Sequence, residues 1–165
     1  MKFQGVSMAV CGILLSSAVF AAESADQHFI KKAIEGNLAE VRMGDLAQRR
    51  AASRDVKDFG TMLSKDHFAA NTKAQDVAKS MGVHAPGEPG GDARGTYREL
   101  SALSSDRFDH QFLDSMVKDH QKDIAEYEKE AKGSSPAADY AKQILPDLRK
   151  HLEMAQQLEQ KENAR

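Results

Sequence analysis

Three histidines carry the strongest chemical signal in this sequence. His67 follows Leu63 by four residues and precedes Ala70 by three, His120 stands between Met116 and Ile124, and His151 between Leu148 and Ala155. Residues three or four apart share one face of a helix, so each imidazole is expected on the apolar, inward face of a different helix. Inward side chains at similar depth in a small bundle can meet at one point, as the ligands of bundle-core metal sites do. Imidazole suits zinc, copper, iron and nickel, so the expected cofactor is a transition metal: copper, zinc or iron. Met116 and Met154 lie close to His120 and His151 in sequence, and a thioether beside imidazole would favour copper, although methionine at helical spacing is also ordinary core filling.

A carboxylate could complete the set. Glu40 lies between Gly36 and Gly44, whose missing side chains would let another helix approach, and it is the expected fourth ligand. Asp66 and Asp119 each precede a histidine by one residue. The helical rotation of about 100° per residue turns them away from that histidine and suits them as hydrogen-bond acceptors supporting a partner imidazole. A second reading stands beside the metal reading: buried histidine is commonly a neutral core residue bonded to a carbonyl or carboxylate, and three of them could form a structural network.

The elements that must position these residues are helical. Ile30, Ile34, Leu38 and Val41 mark a first helix from Ser24 to about Ala52. Ser53 is a candidate N-cap for a second, with Val56, Leu63, Ala70, Ala74, Val77 and Met81 on its inner stripe. Residues 82–91 hold four Gly and two Pro and form one long connection. A short helical piece from Asp92 to Leu103 follows. Ser104 or Ser105 then caps a third long helix with Phe108, Phe112, Met116, Ile124 and Tyr127 inward, and Pro136 opens a fourth with Ile144, Leu145, Leu148 and Leu158. Pro146 lies inside that stripe and predicts a kink or a restart. The fold class is therefore all-α, a four-helix bundle with a long Gly/Pro-rich crossover between its second and third helices. The bundle domain is expected over residues 24–160, with a frayed polar tail at 161–165. Leu63 to His67 matches Met116 to His120 at a fixed offset, Lys-Asp-His included, and Phe59 matches Phe112, which suggests two related halves.

Composition narrows the function classes. The 165 residues are 41% hydrophobic, 29% charged and 6% aromatic without Trp, which suits one helical domain. Residues 1–21 read as a signal peptide: Lys2, an apolar run from Val6 to Phe20, and small residues around Val19 and Ala21. That run is shorter than the roughly 20 residues a transmembrane helix needs, and no later stretch is apolar enough to span. Removing the leader takes away one Lys and no acid, lowering the formal net charge from −2 to −3, so there is no basic field for nucleic acid. The one cysteine, Cys11, lies in the leader, which excludes disulfide, iron–sulfur and thiol chemistry from the mature chain.

Several segments resemble the exported bacterial family catalogued as domain of unknown function 4142: Gly36 to Val41, Met62 to His67, Met116 to His120 and Leu145 to Leu152. The resemblance covers about Asp26 to Leu158 and implies a ferritin-like four-helix bundle in the periplasm or associated with the outer membrane, with no assigned reaction. A di-iron centre of the ferritin type needs Glu-x-x-His on two helices. Here Ser64, Val117 and Leu148 stand three residues before the histidines, which argues against ferroxidase or di-iron oxygenase activity. Two functions follow as expectations: a periplasmic metal-binding bundle in metal handling or stress tolerance, or a non-enzymatic structural or interaction protein of the envelope with a protein partner. An enzyme is the least supported class, since no nucleophile elbow, phosphate loop or zinc-protease motif is present.

Overall fold

Local signals in the sequence set where each helix starts and stops. Helix α1 (Ala25–Arg50) begins at a capping box in which the Ser24 hydroxyl accepts the Gln27 N–H at 3.1 Å and the Gln27 side chain accepts the Ser24 N–H at 3.0 Å. Helix α2 (Arg54–Ser80) ends at Gly82, whose φ of +67° is open to glycine and strained for other residues. The Val83 N–H then reaches the Ala78 carbonyl and the Gly82 N–H the Lys79 carbonyl, closing a Schellman motif. The short α3 (Gly91–Ser101) and the long α4 (Ser105–Glu130) follow. Helix α5 (Pro136–Asn163) starts with Pro136 in its first turn and the Ser135 hydroxyl accepting the Ala138 N–H.

The computed structural model describes residues 23–164; the expected signal peptide at 1–21 lies outside the described residues. Among the described residues there is no strand, and no helix is long and apolar enough to cross a membrane. The architecture is all-helical, with four long helices and the short α3 bundled together. Of the kink or restart expected at Pro146 the restart does not occur, and helix α5 extends to Asn163, into the segment expected to fray from residue 161. Its last turn is held by an ion pair between Lys161 and Asp55 and by the burial of Glu162. Ser53 precedes α2 as expected, but its hydroxyl makes no capping bond. The 51–53 link is fixed instead by Asp109, which accepts the Ala52 and Ser53 N–H groups at 3.1 and 2.8 Å.

Helix α1 packs most extensively on α2, and α4 on α5; α2 also meets α5, and α3 lies over α1 and α4. Two apolar clusters form the core. One takes Ile30, Ile34, Ala74, Tyr127, Ile144 and Leu148; the other takes Met43, Phe59, Leu63, Phe112, Met116 and Ala155. The N-terminal halves of α2 and α4 share one cluster and their C-terminal halves the other, so these two helices run in the same direction. The connection through α3 therefore travels the length of the bundle. Phe59 and Phe112, matched in the internal repeat, meet edge-on with centroids 6.2 Å apart.

Candidate metal centre

On each histidine-bearing helix the imidazole falls at the level where one apolar cluster gives way to the other: His67 between Leu63 and Ala70, His120 between Met116 and Tyr127, His151 between Leu148 and Ala155. The three are 1–3% exposed. Their ring centroids are separated by 5.7 Å (His67–His120), 5.2 Å (His67–His151) and 5.5 Å (His120–His151). One ring nitrogen from each lies within 4.8 Å of the other two.

Hydrogen bonding assigns the protons. His120 Nδ1 is 2.9 Å from the Met116 carbonyl, which can only accept, so Nδ1 carries the hydrogen. The Asn37 amide donates to the Tyr140 hydroxyl at 2.9 Å and turns its oxygen to His67 Nδ1 at 3.0 Å, so that nitrogen also donates. His151 Nε2 donates to Asp66 Oδ2 at 3.1 Å. The remaining nitrogens, His67 Nε2, His120 Nε2 and His151 Nδ1, are buried and bonded to nothing. Each ring is thus fixed by one hydrogen bond and keeps one buried nitrogen whose lone pair has no partner.

Charge is disfavoured there. Burial holds His67 well below the ordinary histidine range, and the two neighbouring imidazoles push in the same direction. Burial and His151 lower His120 to about 4, and burial lowers His151 against the opposing pull of Asp66. Burial thus favours the neutral form of the imidazole that bonds Asp66. Neutral imidazole is the form that binds metals. Around a tetrahedral ion with bonds of 2.0–2.1 Å, ligand nitrogens stand roughly 3.3 Å apart, so small ring adjustments from the present spacing would close the set.

The other expected participants divide into two groups. Asp66 contacts an imidazole on a partner helix, as its position in sequence suggested. Glu40 is buried on α1, but its carboxyl is not in the converging group; it faces Asp119 and Asp123 on α4, and burial together with their charges raises it well above the usual carboxylate range. Asp119 lines the same cleft as Glu40, and none of the hydrogen bonds of the three imidazoles goes to it. The repeated Lys-Asp-His triplet thus serves two ends: its α2 copy faces His151 and its α4 copy faces Glu40. Asn37 was not singled out by the sequence analysis, although a polar residue three after Ile34 and four after Ala33 on the buried stripe was the available signal.

No curated protein and no solved structure matches the chain. The family profile described as Domain of unknown function (DUF4142) matches residues 15–158, and the chain belongs to that family.

Proposed function

We propose that this protein binds one transition-metal ion, copper or zinc, through His67 Nε2, His120 Nε2 and His151 Nδ1. Two observations carry this reading together: one ring nitrogen of each histidine lies within 4.8 Å of the other two, and each ring keeps one buried nitrogen without a partner. A buried polar atom without a partner costs about 1–3 kcal/mol, and native proteins keep few of them; three in one histidine cluster are accounted for together by a single cation. The donors are neutral nitrogens without thiolate or carboxylate, which suits copper and zinc, whereas mononuclear iron sites of the two-histidine type add a carboxylate. Asn37, the Met116 carbonyl and Asp66 would orient the three rings. The expected signal peptide supports a role outside the cytoplasm, in metal handling or stress tolerance in the envelope.

A structural reading is favoured by the same three outer hydrogen bonds, which would knit the rings into the core without any ion; the protein would then serve the envelope by interaction alone. Thermal melts with and without metal separate the two. At a hundredfold excess over the dissociation constant, binding adds about 2.7 kcal/mol, which raises the melting temperature by roughly 5–10 °C in a domain of this size. A melting temperature indifferent to copper and zinc would leave the structural reading standing.

A further inference from the structure

We propose that the cleft between α1, α3 and α4 binds a hydrated divalent cation of the magnesium or manganese type, with Glu40 at its floor, Asp123 on its wall and Asp119 at its mouth. This site is separate from the histidine cluster and does not depend on it.

The cleft has a volume of about 190 Å³ and is lined by six carboxyl groups against two ammonium groups. One of those ammonium groups, on Lys32, is paired with Glu35 at 2.9 Å. Such a lining favours a cation, but surface acids gather in many proteins without one. Glu40 is the distinguishing observation. It is 5% exposed, it lines this cleft, and its Oε2 atom is buried without any hydrogen-bond partner. An apolar core could have taken a leucine at this position; a carboxyl aimed into an acidic cleft is accounted for by an ion that needs it.

The chemistry of the donors selects the class. All are carboxylate oxygens, which suit hard cations. Among the described residues only the histidines bring three donor atoms within 4.8 Å of one another, so an ion in the cleft would keep much of its water and be held partly through it. Magnesium and manganese are bound in that way, with one or two carboxylates and several retained waters. A smaller cavity of about 20 Å³, room for one water, is lined by both Asp123 and His67.

The test is a titration of the untagged protein with Mn²⁺, following free ion by electron paramagnetic resonance and bound, hydrated ion by water proton relaxation. Wild-type protein should take up one Mn²⁺ with strongly enhanced relaxation. Glu40→Gln should weaken it at least tenfold, and so should Asp123→Asn, which leaves the buried Glu40 untouched and guards against a folding defect. His120→Ala should bind Mn²⁺ as wild type does. No uptake at millimolar Mn²⁺, or unchanged affinity in both carboxylate variants, would overturn the proposal. So would a loss confined to His120→Ala, because it would place the ion on the histidines.

Discussion

Asp66 Oδ2 lies 3.1 Å from His151 Nε2, and this bond decides which face of the His151 ring can bind an ion. With Nε2 holding the proton against the carboxylate, Nδ1 is left buried with its lone pair unpartnered. Replacing Asp66 by Ala frees the ring to adopt the other tautomer and to rotate. We expect Asp66→Ala to lower metal affinity by about ten- to a hundredfold, measured by competition with a chromophoric chelator, while the fold is retained. Unchanged affinity would mean that packing alone orients His151.

Acid should act on the metal-free protein through two opposed groups. The histidines have folded-state values below the unfolded value of about 6.5, His120 at about 4. Their contribution is fully present above pH 6.5 and is lost as pH falls toward 4, because the unfolded chain takes up protons first. Glu40 and Asp123 run the other way: burial first, then neighbouring carboxylates, raise both, Asp123 to about 7. Both favour the folded state at low pH, and the Asp123 contribution is lost as pH rises from the unfolded carboxylate range through about 7. Glu40→Gln with Asp123→Asn removes the opposing effect. Calorimetry in the presence of a chelator should therefore show stability falling more steeply from pH 7 to pH 5 in this variant than in wild type. Parallel profiles would contradict the assignment.

Gly44 and Gly60 set the contact between α1 and α2. A Cβ on Gly44 would collide with the Gly60 carbonyl and come within 2.8 Å of the Ser64 nitrogen, and one on Gly60 would come within 2.7 Å of the Ala47 Cβ. Alanine gains up to about 1 kcal/mol of helix propensity at such positions, but a collision with backbone outweighs it. Each Gly→Ala change should destabilise the protein by at least about 2 kcal/mol in urea unfolding.

Asp109 ties the α1–α2 link to α4 by accepting two backbone N–H groups. Asp109→Ala leaves the Ser53 N–H buried without a partner, so a loss of about 1–3 kcal/mol is expected in the same urea assay, with metal affinity unaffected.

Much of this architecture was legible in the sequence because it is local. Ser24 with Gln27, Gly82, and Pro136 after Ser135 mark helix ends through neighbours in the chain, and the apolar period placed the three histidines inward. What required the structure were relations between helices. Glu40 sits on a buried stripe as foreseen, but whether it faces α5 or α4 depends on how α1 is rotated in the bundle. Its place beside Asp119 and Asp123 has no signature in spacing. The close approach at Gly44 was anticipated, whereas its partner Gly60 was not, because the register between two helices is fixed by packing along their whole length. Pro146 signals a kink or a restart in a helix judged alone; within α5, flanked by the buried Leu145 and Leu148, tertiary packing carries the helix through without a restart.

The most direct test of the metal centre is elemental mass spectrometry of the untagged protein as the cell produces it, beside a His67→Ala, His120→Ala, His151→Ala variant shown to be folded by circular dichroism. The account predicts close to one copper or zinc per chain in the native protein and none in the variant. A native protein free of both metals, and unchanged in melting temperature when either is added, would contradict it and leave the three imidazoles as core architecture.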